Sequence, residues 1–552
     1  MPDAGAAAHW RRRLLVQGLA ILLVVVAVGR IAATYRVFNQ TFDEPAHVAT
    51  GMEWLDRGTY QYETRHPPLG RVAVAIGPYL SGLRSHGLPF MWDEGNAILQ
   101  DRGTYLRNLA LARAGVLPFV ALAAYLVWSW TRRLAGDGAA LAGVASLTLL
   151  PPVLAHGGVA TTDMPVAALL TAALYAFARW LEAPSTARSV ALGASGGLAV
   201  LAKFSALLFL PVCAAAVVAA RVASARGGPR PPASSAPPRA AQFRRGAVVA
   251  AWSALLLMWA AYRFSLRTGA GLPVPFPELI NGLLMVAAHN EVGTDSFLLG
   301  EVSRQGWWYF FPVVLAVKTP LAFLALVIAG GAEVVRRWRA TRDWQAAAPL
   351  LCALAIVLVS MTSRINIGLR HVLPAYPLLA ITAALGATAL WRSARHRVAA
   401  RAAAVACGAW LLVASARAHP DYLAYFNELA ERHPERVLVN GDLDWGQDLL
   451  RLTDTLRARG IDRVSLAYFG SADPKQFHIA GLRCLRPEDR PDGWVAASEY
   501  LVKGVNPKRS FTWLGAHTPV TRVGASILLY HLPPRGAAPA RVEPPPRRCF
   551  GS

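Results

Sequence analysis

The sequence predicts a polytopic α-helical membrane protein with an α/β region outside the bilayer, and three observations predict it. The 552 residues are 54% hydrophobic and only 16% charged, with a mean hydropathy of +0.34, which is more apolar side chain than one or two water-soluble cores require. About eleven apolar runs follow one another, each of a length that can cross the hydrocarbon core as a helix. The formal charge of +23, from 56 Lys+Arg against 33 Asp+Glu, lies in short clusters between these runs. That is the pattern of cationic loops at a membrane, and it argues against nucleic acid as a partner.

The runs cover approximately 14–35, 107–130, 138–155, 164–181, 188–202, 204–221, 246–266, 308–332, 346–363, 371–391 and 400–418. The first has Arg11-Arg12-Arg13 before it and no small-residue cleavage site after it, so it reads as a retained anchor. At Lys203-Phe204 the chain makes either a tight turn between two spans or a defect in one long helix. Basic loops at Arg11–Arg13, Arg132-Arg133, 221–245, 336–342 and 392–401 are expected on the cytoplasmic side. With the N-terminus inside and an odd number of spans, the first outer loop, 36–106, and the tail from about 420 lie outside a plasma (inner) membrane. The stretch from Gly227 to Arg239, rich in Pro, Ala, Ser and Arg, reads as a flexible cytoplasmic linker. The expected organisation is a transmembrane domain over 1–419, a soluble α/β domain over 420–535 and a disordered tail over 536–552.

Two outer regions have readable structure. Pro277 and Glu278 open a helix with Leu279, Leu283, Val286 and Ala287 at helical spacing, suited to lie along the interface or to roof a cavity. In the tail, Val437–Val439 reads as a strand, Gly446–Arg459 as a helix ended by Gly460, and Val464–Phe469 as a second strand. Further strand-like runs fall at Trp494–Ala497 and Ile527–Tyr530. The five cysteines, at 213, 352, 407, 484 and 549, show no zinc-site spacing. Cys484 and Cys549 are free to pair if the tail is extracytoplasmic.

Chemistry-bearing residues gather on the outer side. Phe42-Asp43-Glu44-Pro45-Ala46-His47 follows the first span, and adjacent carboxylates so near the bilayer are costly unless water, a cation or a substrate proton meets them. Asp43 is either a general base or the cap of a helix. In Arg65-His66-Pro67-Pro68-Leu69-Gly70 two prolines fix the backbone beside a polar pair, which is either a site or a turn into a helix. Thr162-Asp163-Met164-Pro165 brings a second carboxylate to the same membrane face, again as a site residue or a cap. Lys203, Lys318, Arg364, Arg370 and His371 supply positive or hydrogen-bonding groups where few are expected. They suit phosphate binding, with snorkelling to headgroups as the alternative for the arginines. In the tail, Asp442, Asp444, Trp445, Gln447 and Asp448 join the first expected strand to its helix. They form either a sugar-binding edge or a helix cap with Trp445 packed under it.

Taken together, Asp43-Glu44, His66-Pro67-Pro68-Leu69, Asp163, Leu201-Ala202-Lys203-Phe204 and Arg370-His371-Val372-Leu373-Pro374 resemble, in order and spacing, the dolichyl-phosphate-mannose protein mannosyltransferases. They also resemble their bacterial relatives, including the aminoarabinose transferase of lipid A. The resemblance covers roughly residues 10–420. It implies a C-fold membrane glycosyltransferase (hexosyl- or pentosyl-) that moves a sugar from a polyprenyl-phosphate donor onto a glycan, lipid or protein acceptor. It implies Asp43 as base, Glu44 in support, Asp163 as second acid of the cavity, and Lys203, Arg370 and Lys318 on the donor phosphate; His47, His66, Arg364 and His371 are, from their own positions, further candidate substrate-binding residues. Members of the family differ in whether a divalent cation takes part, so Asp43, Glu44, His47 and His66 are also weighed as a metal cluster. No inserted lumenal domain of the eukaryotic enzymes is present, and the Leu443-Asp444-Trp445-Gly446-Gln447-Asp448 tail resembles one found in prokaryotic members. The rival readings are a transporter, against which stands the lack of visible repeats or broken helices, and a scaffold that binds lipid or glycan without catalysis.

Overall fold

The computed structural model describes residues 4–227, 240–269, 272–394 and 396–534. Most of the expected linker and all of the 536–552 tail, including Cys549, lie outside the described residues.

The chain begins with α1 (Ala4–Ala33). A loop follows that holds three short helices, α2 (Glu44–Met52), α3 (Pro68–Leu80) and α4 (Met91–Gln100). Next come α5 (Tyr105–Ala114), α6 (Leu117–Ala135), α7 (Asp137–Thr148), α8 (Pro151–Gly157), α9 (Asp163–Glu182), α10 (Thr186–Ala202), α11 (Ser205–Gly227) and α12 (Ala240–Ala261). A second loop carries the hairpin β1 (Leu266–Gly269) and β2 (Leu272–Pro275), then α13 (Pro277–Val292) and the hairpin β3 (Ser296–Leu298) and β4 (Glu301–Ser303). The helical part closes with α14 (Phe310–Lys318), α15 (Leu321–Thr341), α16 (Trp344–Ser360), α17 (Ala375–Arg392) and α18 (Arg397–Arg417).

All eleven expected apolar runs fall on helix, but they are not eleven equal spans. Among the described residues, Trp10–Arg36, Tyr105–Ala135, Asp163–Glu182, Ser205–Arg226 and Arg397–Arg417 are long and apolar enough to cross a membrane. Two bent pairs, α7–α8 at 65° and α14–α15 at 114°, bring the number to as many as seven. The sequence reading saw no broken helices; the breaks are made by Pro151-Pro152 and by Pro320, which cannot donate into a helical ladder. Helices α10 and α16 are apolar but shorter, and α17 is buried along Ala375–Gly386, so protein rather than lipid surrounds it. Helices α1 and α18 instead turn Leu15, Ile21, Val25, Val405, Leu412 and Val413 outward, as lipid-facing helices do. Lys203 settles the ambiguity at 203–204: it is extended between α10 and α11, so two helices meet at a tight turn.

After α18 come α19 (Leu449–Ala458), β5 (Val464–Ala467), β6 (Leu482–Cys484), β7 (Gly493–Ser498), α20 (Glu499–Val502), β8 (Thr521–Val523) and β9 (Ile527–Leu532). The five strands form one sheet in the order β6-β5-β7-β9-β8, with β5 parallel to both neighbours and the β7–β9 and β8–β9 pairs antiparallel. Side chains alternate across it as the pleat requires. Val495 and Ala497 face one core with Leu528 and Tyr530, while Ala496 faces another with Leu529 and with Leu449, Leu452 and Leu456 of α19. The expected strand Val437–Val439 is not in this sheet. Leu438 packs into the core of the helical part and Val439 into that of the sheet, and the Val439 carbonyl closes a turn with Leu443 and Asp444. Three residues so divided have no free edge to pair, and the expected strand–helix–strand succession gives way to parallel pairing of β5 with β6 and β7.

Candidate functional site

Asp43 stands at the start of α2, where a carboxylate would ordinarily cap the helix, yet its side chain makes no cap hydrogen bond. It is instead ion-paired with Nη1 of Arg370. The backbone just before it is held from several directions. Phe42 N–H donates to the Trp445 carbonyl at 2.9 Å. Asn39 donates from Nδ2 to the Gly446 carbonyl at 2.7 Å and accepts from Leu449 N–H at 2.7 Å. Glu44, fully buried, turns the other way: Arg113 Nε and Nη2 each reach it at 2.8 Å, and Thr41 N–H and Ala160 N–H complete its oxygens at 2.7 and 2.8 Å. Glu44 therefore ties the first loop to α5 and to the α8–α9 loop, and its charge is spent there.

Arg370 lies in a tight turn over Leu369–Val372 that follows Gly368, whose φ of +126° favours glycine. The Asp442 carboxylate clamps the turn by accepting from Leu369 N–H at 3.0 Å. The guanidinium carbon stands 4.5 Å from the centroid of the Trp445 ring. Lys203 Nζ meets Asp163 Oδ1 at 2.6 Å, and Arg370 is within electrostatic reach of both Asp43 and Asp163. Thus residues from α2, α9, the α10–α11 turn, the turn before α17 and the C-terminal region converge on one place. Three buried nitrogens there have no hydrogen-bond partner among the described residues: Arg370 Nε, His371 Nε2 and His156 Nδ1.

Beside this cluster a second set forms around Arg71, which is buried in α3. It pairs with Glu63 and donates to the Glu63 carbonyl at 2.6 Å. Its Nε donates to His47 Nδ1 at 3.2 Å. Burial, reinforced by Arg71, pushes the His47 pKa well below the usual imidazole range, so this ring is neutral and accepts. His66 Nδ1 lies 3.2 Å from Glu63, and the His66 and His47 rings meet edge to face at 5.3 Å. Burial opposes the ionisation of Asp43, but the Arg370 guanidinium more than offsets it and holds the carboxyl below its ordinary pKa.

Several expected site residues are engaged by other protein groups. Arg364 is exposed and donates to the Glu291 carbonyl at the end of α13, away from the cluster. Lys318 is buried, with the carbonyls of Leu423 and Asp442 at 2.8 and 2.6 Å and the Phe426 ring 4.1 Å away, so it fastens the chain after α18 to the α14–α15 break. The tail residues do not form an open glycan edge. Asp444 accepts from Gly446 and Tyr500 N–H, Gln447 bonds Trp445 and Leu443 backbone, and Asp448 accepts from Ala525 and Ser526 instead of capping α19. All five are buried, because this loop is folded against the first loop and the turn before α17. Of the four residues weighed for a divalent cation, Glu44 is turned away against Arg113, and among the described residues no group of three or more His, Cys, Asp or Glu is placed to hold a metal ion. Sequence reasoning missed Glu63, Arg71, Arg113 and His156. Arg71 and Arg113 carried a signal, each being an arginine inside an otherwise apolar helical stretch.

Residues 103–226, which carry Asp163 and Lys203, match the family model of dolichyl-phosphate-mannose-protein mannosyltransferase. Among solved structures, ArnT from Cupriavidus metallidurans bound to undecaprenyl phosphate is similar over 93% of this chain and 98% of that one, with 15% identity and a TM-score of 0.50. Its apo form covers the same shares at 15% identity and a TM-score of 0.49. The oligosaccharyltransferase AglB from Archaeoglobus fulgidus, in complex with an inhibitory peptide and a dolichol-phosphate, is similar over 94% of this chain and 74% of that one at 12% identity and a TM-score of 0.46. No curated protein matches the sequence. The resemblance read from the sequence is borne out to this extent: residues 103–226 fit the mannosyltransferase family model, and the fold is shared with ArnT. With its long apolar helices the chain is a multi-pass membrane protein.

Proposed function

We propose that the protein is a membrane glycosyltransferase that moves a hexosyl or pentosyl group from a polyprenyl-phosphate donor to a glycan, lipid or protein acceptor on the extracytoplasmic side, with inversion. The observation that carries this reading is the Asp43–Arg370 pair, set beside Asp163–Lys203 and three buried nitrogens without partners among the described residues. A carboxylate and a group of phosphate-binding donors are thereby side by side, which is what direct displacement at a sugar phosphate needs.

Asp43 is the base. It takes the proton of the acceptor hydroxyl or amine as the acceptor attacks the anomeric carbon; the bond from that carbon to the phosphate oxygen breaks, and its electron pair leaves with polyprenyl phosphate. Lys203, Arg370 and His371, joined by His156, hold the phosphate and stabilise the charge it gains. Asp163 aligns Lys203. Glu44 is a positioning residue that fixes the backbone on which Asp43 stands. His47 and His66 line the acceptor side, with Arg71 and Glu63 setting their tautomers. Arg370 makes Asp43 a weak base while it pairs with it, so a donor phosphate that neutralises part of the Arg370 charge from its Nε side strengthens the base as it binds. In the bilayer of a plasma membrane the N-terminus is cytoplasmic and the C-terminal region extracytoplasmic, with which the disulfide-bonded state of Cys484 agrees.

Purified protein in lipid, given a panel of radiolabelled polyprenyl-phosphate sugars, is expected to release polyprenyl phosphate, and Asp43→Asn to lose most of that release while still inserting. Full activity of Asp43→Asn would remove the base. The bent pairs α7–α8 and α14–α15 are the feature a transporter reading would use; uptake of solute by vesicles that is indifferent to Asp43 would favour it.

A further inference from the structure

Trp445 belongs to the C-terminal region but sits under a residue of the donor site. It is buried, its backbone N–H donates to Gln447 Oε1 at 2.8 Å, and its backbone carbonyl holds Phe42, the neighbour of Asp43. Gln447 in turn donates to the Leu443 carbonyl at 2.9 Å, so the loop that presents the indole is braced from within. One side of the ring carries the Arg370 guanidinium at 4.5 Å, and His156 meets it edge-on at 6.3 Å. Both of these neighbours have a buried nitrogen without a partner among the described residues, Arg370 Nε and His156 Nδ1. An indole face attracts a guanidinium through its quadrupole and uses up none of its N–H groups. A carboxylate seat would use them up, and a bare aliphatic wall would leave the side chain free to rotate.

We infer that Trp445 is a positioning residue for the donor phosphate, holding the Arg370 guanidinium by its face so that Nε–H is presented to the phosphate while Nη1 keeps Asp43. The C-terminal region is then part of the donor site and not an appended domain. Asp442, through its bond to Leu369 N–H, fixes the backbone of the same arginine. This rests on the reading of Arg370 as a phosphate ligand given above.

The test is equilibrium binding of undecaprenyl phosphate to the full chain in lipid nanodiscs, for wild type, Arg370→Gln, Trp445→Leu, Trp445→Met, Trp445→Phe and the double variant Arg370→Gln/Trp445→Leu. Trp445→Leu and Trp445→Met are expected to weaken binding by roughly three- to thirtyfold, and Trp445→Phe, which keeps a ring, by much less. In the Arg370→Gln background Trp445→Leu should add nothing, since an indole that acts only through Arg370 has nothing left to hold. Loss that adds in full to Arg370→Gln, wild-type binding by both non-aromatic variants, or equal loss in Trp445→Phe would overturn the inference and leave the donor reading standing. Equal binding by wild type and Arg370→Gln would instead overturn the donor reading, and the positioning role with it.

Discussion

Asp43 and Glu44 are neighbours in sequence and do opposite things in space. One carboxylate faces Arg370 at the convergence of several elements, and the other is sealed against Arg113. Because Arg370 holds the Asp43 pKa down, Arg370→Gln should move the acidic limb of the pH dependence of kcat/KM to higher pH, as well as weakening the donor. An unmoved limb would separate Asp43 from the titrating base. The Glu44–Arg113 pair is buried on both sides, and removing one partner leaves an uncompensated charge. Arg113→Met should therefore cost about 3–5 kcal/mol of stability in thermal unfolding, and the paired Glu44→Gln/Arg113→Met less than that. Asp43, Asp163 and Lys203 could be picked out from sequence because ionisable residues at membrane depth are conspicuous. Which acid would meet which base could not, since Arg370 and Arg113 are remote in the chain from the carboxylates they pair with.

At the scale of elements, the site depends on short helices packed more tightly than their lengths suggest. Gly51 in α2 lies against the backbone of Arg71 in α3, where an added Cβ would collide with the Arg71 carbonyl. The same α3 residue sends its side chain to His47. Gly51→Val should therefore part α2 from α3, cost roughly 1–3 kcal/mol by overpacking, and lower turnover although Gly51 touches no substrate. Equal activity and equal unfolding midpoint would show that the crossing has slack. Helix α13 was readable from Pro277, Glu278 and the spacing of its leucines. Of its apolar positions only Leu279, with Gly282, is buried, the latter against Thr64 and Phe204, while Ile280, Leu284 and Met285 face outward. The helix thus packs through Leu279 and Gly282, the latter against the loop before α3 and the α10–α11 turn, and leaves one apolar side exposed.

Across the whole molecule the C-terminal region and the helical part share one set of contacts. Asp444 is central to it, because its carboxylate holds Gly446 and Tyr500 N–H and the Gly446 carbonyl receives Asn39. Burial pushes the Asp444 pKa up to about 8 from the ordinary 3.8, and those of Asp448 and Glu499 also rise. The folded chain then keeps a proton that the unfolded chain releases, so Asp444 contributes most below the unfolded value and loses that contribution as pH rises toward about 8. Asp444→Asn should make the unfolding midpoint fall less steeply between about pH 5 and pH 8 than in wild type. A slope unchanged by the substitution would show that the proton is held elsewhere.

The sequence by itself determined the helical membrane architecture, the places where the apolar runs lie, the strands β5, β7 and β9, and the acids Asp43 and Asp163 with Lys203 near them. These follow from local quantities: hydropathy over a span's length, alternation over a strand, and a charge standing out from an apolar background. Only the tertiary structure decided that Lys318 fastens the chain after α18, that Arg364 stays at the surface, and that Asp442 to Asp448 are buried rather than displayed. It also decided that Val437–Val439 is divided between two cores and that Trp445 lies beneath Arg370. In each case the deciding partner is far away in the chain, and a side chain's charge or hydrogen-bonding capacity says what it needs without saying which distant group will supply it.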